Sequence, residues 1–332
     1  MSGSTDASAS APPTQPEPQS QPAPPPERRI PGLTPALKRR ARLGFRLLSA
    51  LSPALAARVA AYLFLTPLAR PASAPERQFL AGARRRRVRS ASGRVQVYEW
   101  PAAGPTVMVL HGWSSHTARL QPAIEALHAA GLRVVACDAP AHGRSSGRGA
   151  DLQRFRDAIS AVQASCGAID ALLAHSFGAL AALGWLAETG AASGVRAAVL
   201  VGMPRDVGYL FDSFVFVMGL RAEVVRRLRA LFLRRYGREP EQYSALRFAP
   251  QVHVPVLLVH GSADDLVPLE HAREILPWLP DARLQVAEGL NHGAPLRDPA
   301  SAAMIARFLA AQLPAQKLSR ANSSGPLTSS RT

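Results

Sequence analysis

Three side chains in this sequence have the types that nucleophilic acyl transfer requires: Ser176, Asp264 and His292. A serine that attacks an acyl carbon needs a base to take its hydroxyl proton and a carboxylate to orient that base. It also needs N–H donors for the negative charge that develops on the acyl oxygen. Whether these residues can act together depends on the elements that carry them.

Ser176 stands between a short apolar run, Ala171–Ala174, and a segment rich in alanine and leucine. The run is typical of a strand buried on both faces, and the segment is typical of a buried helix. A strand that turns directly into a helix strains the backbone at the corner and leaves room only for small neighbours such as Gly178. The sequence therefore predicts an exposed Ser176 hydroxyl, with the amide of Phe177 directed outward as an oxyanion donor.

Strand-like and helix-like segments alternate through residues 93–313. The predicted strands are residues 94–100, 106–110, 133–137, 171–174, 197–201, 255–259 and 283–286. This alternation predicts an α/β fold with a mainly parallel, doubly wound sheet that helices cover on both faces. Asp264 and His292 each follow a late strand, so both would lie at the carboxyl edge of the sheet, where ligands bind in open α/β folds.

The pentapeptide Ala-His-Ser-Phe-Gly around Ser176 resembles the nucleophile elbow of the α/β-hydrolase superfamily, with alanine at the first glycine position. The superfamily order of serine, acid and histidine is also present in Ser176, Asp264 and His292. The resemblance implies an enzyme of the serine esterase branch, in which Ser176 attacks, His292 carries the proton and Asp264 orients His292. Branches with a carboxylate nucleophile, the dehalogenases and epoxide hydrolases, fit poorly. The resemblance implies no metal and no organic cofactor.

The acid has two further candidates in this reading. Asp265 is the neighbour of Asp264, but the family places the acid four residues after the histidine of a His-Gly pair, which selects Asp264. Asp206 follows the strand at residues 197–201, where some family members carry their acid, and it stays open as an alternative. The His-Gly-Trp stretch at residues 111–113 resembles the family's oxyanion loop, so the amide of Trp113 is the second expected donor.

Residues 203–250 interrupt the alternation, and the resemblance implies a small helical cap there, inside a hydrolase domain at 93–313. Four apolar residues of this insertion suggest a small to medium apolar substrate: Phe211, Phe214, Phe216 and Met218. The expected reaction is hydrolysis of a carboxylic ester, thioester or lactone through an acyl-enzyme. The alternatives are a catalytically silent binding protein of the same fold and a lipase-like protein at a membrane surface.

The segment before this domain, residues 33–92, is predicted to be a basic helical extension. Its leucines recur at helical spacing among arginines, which fits helices packed on the body or a basic segment lying on an anionic membrane. The arginine run at 84–89 is predicted to be a solvated stretch before the first strand. Residues 1–32, rich in Ser, Ala, Pro and Gln, and residues 314–332, which return to Ser, Asn, Gly and Pro, are both predicted to be disordered tails.

The formal charge of +16 is concentrated outside the part that carries Ser176. Residues 1–89 contain 15 basic and 4 acidic side chains, whereas residues 90–203 and 251–313 together contain 12 basic and 14 acidic ones. With no recognisable nucleic-acid module, we expect no specific nucleic-acid partner. Cys137 and Cys166 fit a reducing compartment, and no cationic leader opens the chain. A cytoplasmic location is expected, with peripheral membrane attachment as an addition to it.

Overall fold

The computed structural model describes residues 33–68 and 70–313 of the 332-residue chain. The tails predicted at 1–32 and 314–332 lie outside the described residues. The strands are β1 Arg84–Ser90, β2 Gly93–Trp100, β3 Thr106–Leu110, β4 Arg133–Asp138, β5 Ala171–His175, β6 Ala197–Val201, β7 Val256–Gly261 and β8 Ala282–Ala287. The helices are α1 Pro35–Leu51, α2 Pro53–Phe64, α3 Ala74–Ala81, α4 Gln121–Ala129, α5 Leu152–Cys166, α6 Phe177–Thr189, α7 Val207–Met218, α8 Ala222–Tyr236, α9 Ala245–Phe248, α10 Leu269–Ile275 and α11 Pro299–Gln312.

The eight strands form one sheet in the order β1-β2-β4-β3-β5-β6-β7-β8. The pairs from β4 to β8 are parallel, and β1–β2 and β2–β4 are antiparallel. Side chains alternate between faces along a strand, so Leu172 and Leu173 of β5 join separate cores on opposite sides of the sheet. Helices α5 and α6 cover one core, and α4 and α11 cover the other. The predicted mainly parallel sheet with helices on both faces is confirmed.

The arginine run at 84–89 is strand β1, so the prediction of a solvated stretch before the first strand was wrong. Its main chain pairs with β2 along the whole run, from Arg84 opposite Glu99 to Ser90 opposite Gly93. An edge strand tolerates this composition because its outward side chains stay in water, and charged residues discourage pairing with another sheet. Val88 is buried on the inner face, and Arg86 binds the carboxylate of Glu99 at 2.7 Å.

Helices α1 and α2 pack on the insertion between β6 and β7, which consists of α7, α8 and α9. A third apolar core joins them, with Phe45 and three alanines on the α1–α2 side and Phe211, Phe214 and Leu228 on the insertion side. Phe64 contacts Phe211 and Phe214 edge-to-face, with ring centroids 5.6 and 5.4 Å apart. None of the helices within the described ranges is long and apolar enough to cross a bilayer.

Phe211 tests how much this third core stabilises the protein. Its side chain is fully buried, and its ring contacts the rings of Phe64 and Phe232. We expect Phe211→Ala to lower the free energy of unfolding by about 3–5 kcal/mol, because it leaves a cavity among rings that cannot collapse. Phe216, on the same helix but 52% exposed, is the matched control. Phe216→Ala should cost less than about 1 kcal/mol in urea unfolding. Equal losses of unfolding free energy in the two variants would contradict the packing of Phe211 in the third core.

Candidate active site

Ser176 forms the corner between β5 and α6 and has φ 54° and ψ −123°, in a region that non-glycine residues rarely adopt. Such a conformation costs about 1–3 kcal/mol and persists only where the surroundings enforce it. The Ser176 N–H donates to the carbonyl of Val201 on β6 at 2.8 Å. A Cβ on Gly178 would lie 2.3 Å from the carbonyl oxygen of His111, so α6 can begin here only with glycine at position 178.

Asp264 lies in the loop after β7, and its side chain is completely buried. Its Oδ1 accepts hydrogen bonds from the N–H groups of Leu266 and Val267, both at 2.9 Å. Its Oδ2 lies 2.7 Å from His292 Nδ1 and 3.3 Å from His260 Nε2. Burial by itself would raise the pKa of this carboxyl, but the hydrogen bonds from His260 and His292 outweigh it and hold the pKa of Asp264 far below its ordinary range. The Asp264 carboxylate is therefore ionised, and both of its oxygens have hydrogen-bond partners.

His292 lies in the loop after β8, and two neighbours limit where its ring can sit. The ring faces His175 with centroids 4.7 Å apart, and the His292 carbonyl is 3.0 Å from His175 Nε2. Gly202, with φ +57°, forms the other boundary, because a Cβ there would lie 3.1 Å from His292 Cε1. Nδ1 of His292 therefore faces Asp264, which leaves Nε2 for the cavity side.

Ser176 and His292 line the same cavity of about 690 Å³, although no hydrogen bond joins their side chains among the described contacts. Such contacts are commonly longer in ligand-free proteins than in complexes with substrate. The cavity is also lined by Trp113 and Phe177, whose rings contact each other with centroids 5.3 Å apart. Within residues 33–68 and 70–313, neither of their main-chain N–H groups donates to another residue. Both N–H groups are therefore available to a ligand oxygen.

Asp206 and Asp265 do not contact His292. Asp206 caps the start of α7: its Oδ1 accepts from the Tyr209 N–H at 2.6 Å, and its Oδ2 from Arg205 Nε at 2.9 Å. Asp265 lies on the cavity wall beside Asp264. Of the three aspartates considered from the sequence, the structure brings only Asp264 to His292.

The other histidines near Ser176 are held by the main chain. His111 Nδ1 donates to the Gly112 carbonyl, and its Nε2 accepts from the Ala139 N–H. His142 bridges the Pro140 carbonyl and the Ser114 N–H in the same way. Burial lowers the pKa of His111 to about 4 and that of His142 to about 3. Both stay neutral at pH 7 and fix loop geometry.

Apolar residues dominate the rest of the cavity wall. The insertion contributes Leu210, Phe214, Met218 and Phe232, and the segment that ends α2 contributes Leu63 and Phe64. Of the four apolar residues that the sequence suggested for substrate binding, only Phe214 and Met218 line the cavity. Phe211 is packed behind the cavity wall, and Phe216 is at the surface beneath the Arg42 guanidinium. Among the described residues, no group of three or more His, Cys, Asp and Glu side chains could hold a metal ion.

Three contributors to this site were missed from the sequence. Gly202 makes room for His292. His260 Nε2 binds the Val267 carbonyl at 2.8 Å and lies 3.3 Å from Asp264 Oδ2, and α2 forms part of the cavity wall. A glycine directly after a buried strand is the only signal for Gly202. The other two depend on long-range packing.

Gly202→Ala tests the placement of the His292 ring. The new methyl group would displace the ring, and a misplacement of about 1 Å at a catalytic group costs roughly 100-fold in rate. We therefore expect kcat/KM for the ester hydrolysis that the sequence predicts to fall by about that factor. Gly190, with φ +52° and no atom within 4 Å of a new Cβ, is the matched control for backbone strain. Gly190→Ala should lower stability by about 1–2 kcal/mol and leave kcat/KM unchanged. Equal kinetic effects of the two variants would contradict the role of Gly202.

Comparison with known proteins supports the fold and the family. The serine aminopeptidase family model, Hydrolase_4, matches residues 102–247, which include Ser176 but end before Asp264 and His292. A non-heme haloperoxidase from Rhodococcus erythropolis is 26% identical over 253 residues, which cover 62% of this chain and 92% of the relative.

Solved structures of esterases have the same fold. One from Pyrococcus furiosus superposes with a TM-score of 0.58 at 18% identity, covering 75% of this chain and 98% of the esterase. One from Rhodococcus sp. superposes with a TM-score of 0.54 at 20% identity, covering 69% and 99%. The eight-stranded sheet, the strand–serine–helix corner and these matches agree. The chain therefore has the α/β-hydrolase fold, and residues 102–247, which carry Ser176, match the Hydrolase_4 family model.

Proposed function

We propose that this protein hydrolyses carboxylic esters through an acyl-enzyme on Ser176. The observation that carries the proposal is the 2.7 Å contact between His292 Nδ1 and the buried, ionised Asp264. His292 lies on the wall of the cavity that also contains the strained Ser176. A carboxylate that orients a histidine beside an exposed serine is the arrangement that activates serine as a nucleophile.

In the acylation step, Ser176 Oγ attacks the acyl carbon while His292 Nε2 takes the hydroxyl proton. The resulting imidazolium donates through Nδ1–H to Asp264, whose lowered pKa keeps it ionised throughout. Collapse of the tetrahedral intermediate breaks the bond to the alcohol, and His292 returns the proton to the leaving oxygen. Water then attacks the acyl-enzyme by the reverse sequence, which releases the acid and restores Ser176.

The main-chain N–H groups of Trp113 and Phe177 are proposed to bind the oxyanion. Phe177 is the first residue of α6, so its N–H also lies at the positive end of the helix dipole. Main-chain donors that have no protein partner are already oriented for the transition state and need not reorganise during the reaction.

The apolar lining favours a small to medium apolar substrate. A volume of about 690 Å³ is within the range of small-molecule sites, and most of the wall is aliphatic or aromatic. Thioesters and lactones would pass through the same acyl-enzyme and belong to the same proposal.

The matched pair Asp264→Asn and Asp206→Asn tests the identity of the acid. Asp264→Asn should lower kcat for p-nitrophenyl butyrate by about 10⁴-fold, because the histidine loses the partner that fixes its tautomer. Asp206→Asn should leave kcat within a few-fold, since asparagine also caps helices well and Asp206 does not touch His292. The reverse ranking would overturn the assignment. No hydrolysis of any ester by the folded wild type would favour the silent binding protein.

A second candidate function is action at a membrane surface, and one observation favours it. Eight of the eleven exposed large apolar side chains in the described residues lie on α1, α2 and the chain just after them: Leu37, Leu43, Leu47, Leu51, Leu55, Tyr62, Leu63 and Leu68. Leu63 and Leu68 also line the cavity, and the other six form exposed apolar surface of the kind that commonly marks an interaction site. The same helices pack inward on the insertion, so their outer face is left to another partner.

The charge of this segment favours an anionic bilayer as the partner for this face. At about 100° per residue, Leu43 and Leu47 project from the same side of α1, with Arg46 on one flank and Arg40 on the other. Residues 33–70 contain seven basic side chains and no acidic one, so a second copy of the chain would meet like charge. Residues 1–32 contain only Met1 and Ile30 as large apolar residues, too few to cover the patch. We propose peripheral attachment on the cytoplasmic side, where the buried thiols Cys137 and Cys166 would stay reduced.

Leu47→Ser tests whether the exposed leucines of α1 bind a membrane. Binding is measured by co-sedimentation with vesicles that contain phosphatidylglycerol. Leu47 is 61% exposed, and loss of its insertion should weaken vesicle binding by roughly tenfold. Trp278→Ser, which removes a 52% exposed apolar side chain outside the N-terminal helices, should leave binding unchanged. Turnover of a water-soluble ester should be the same in both variants. No binding by the wild type, or equal losses in both variants, would contradict the proposal.

A further inference from the structure

The cavity that contains Ser176 is apolar over most of its wall, yet it has an excess of positive charge. Its charged lining residues are four arginines and two aspartates: Arg70, Arg119, Arg235, Arg297, Asp151 and Asp265. Arg235 has partners, since its guanidinium lies 3.9 Å from Asp151 and over the Tyr236 ring. Arg70, Arg119 and Arg297 differ from Arg235 in this respect.

The guanidinium groups of Arg70, Arg119 and Arg297 make no hydrogen bond or salt bridge to any residue in the described ranges 33–68 and 70–313. They are nevertheless close enough to repel one another. Burial and then the charge of Arg119 lower the pKa of both Arg70 and Arg297. By contrast, bonds to carboxylates raise the pKa of Arg205 and Arg229 elsewhere in the protein.

The nearby carboxylates have other partners. Glu76 interacts with Arg119 through its field, but its Oε2 accepts from the Ser73 N–H at 2.7 Å and lies 3.9 Å from His116 Nε2. Asp298, beside Arg297 in sequence, accepts from the Ser301 N–H at the start of α11. Three positive charges therefore meet without a bound counterion, which costs folding free energy and calls for a reason.

Arg297 connects this group to the reaction centre. Its Nη1 would lie 2.7 Å from a Cβ at Gly293, so the guanidinium rests against the residue directly after His292. Besides burial, the positive charge of Arg119 lowers the pKa of both Arg297 and Arg70, so Arg119 repels both. All three side chains line the cavity, and Arg297 does so beside His292.

We propose that Arg70, Arg119 and Arg297 bind an anionic group, a carboxylate or a phosphate monoester, on the molecule that occupies the cavity beside Ser176. Guanidinium groups match both anions through paired N–H donors. Arg70 and Arg119 are half-buried, which strengthens such bonds, whereas Arg297 is exposed. Phe214 and Met218 supply the wall for an apolar chain on the same molecule. The ligand is thus an anionic amphiphile, and its description as substrate rests on the proposed esterase function.

Binding is measured on the Ser176→Ala protein, so the result does not depend on whether the chain hydrolyses esters. Monohexyl phosphate, hexanoate and hexanol share a six-carbon chain and differ in charge, and each is titrated by calorimetry at low ionic strength. We expect the better of the two anions to bind at least about tenfold more tightly than hexanol, with an advantage that shrinks as salt is added. The ranking of hexanoate and monohexyl phosphate distinguishes the two anion types. Equal affinity for all three ligands would overturn the proposal.

Arg119→Gln, added to Ser176→Ala, separates binding from structural support. It should remove most of the preference for the anion while leaving the melting temperature no lower than that of the parent, because it relieves repulsion from Arg70 and Arg297. Arg307→Gln changes an exposed arginine on α11 outside the cavity and should alter neither quantity. A lower melting temperature with unchanged anion preference would make Arg119 a structural residue and overturn the proposal.

Discussion

Ser176 keeps φ 54° and ψ −123° because three chain segments meet it at contact distance. Val201 on β6 accepts its N–H, and a Cβ on Gly112 from the loop after β3 would lie 2.9 Å from its own Cβ. Gly178 lets α6 start against the His111 carbonyl. The cost of the strained corner, about 1–3 kcal/mol, is offset by a sheet whose central strands are buried on both faces. The corner fixes the direction of the serine hydroxyl and of the Phe177 N–H together, so the geometry of the candidate site depends on it.

The histidines near Ser176 differ in the groups to which their ring nitrogens hydrogen-bond. His111, His142 and His175 are partnered by main-chain groups, and burial lowers their pKa values to about 4, 3 and 3. They add no positive charge near Ser176 at pH 7. His292 instead pairs through Nδ1 with the carboxylate of Asp264, which fixes the orientation of its ring and leaves Nε2 for a substrate proton. Burial and partner choice, rather than closeness in sequence to Ser176, therefore decide which histidine can act as a base.

The fold and the positions of Ser176, Asp264 and His292 relative to strand ends could be predicted, because both follow from short local patterns. Period-two and period-3.6 patterns locate buried strands and helices, and parallel strands place their carboxyl ends at one edge. β1 was missed because Arg84–Arg87 read as a charge run, and only its pairing with β2 makes it a strand. The placement of α2 on the cavity wall and the meeting of Arg70, Arg119 and Arg297 join residues far apart in the chain. No local pattern encodes such contacts.

The most direct test of an activated Ser176 is covalent labelling with a fluorophosphonate, followed by peptide mapping by mass spectrometry. An adduct is expected on Ser176, because among the serines of residues 33–68 and 70–313 it alone forms the strained strand–helix corner and shares the cavity with His292 and the free N–H groups of Trp113 and Phe177. Ser115 lines the same cavity and serves as the internal control, so it should stay unmodified. An unlabelled but folded protein, or an adduct on Ser115 that persists in Ser176→Ala, would contradict the assignment of Ser176 as the nucleophile.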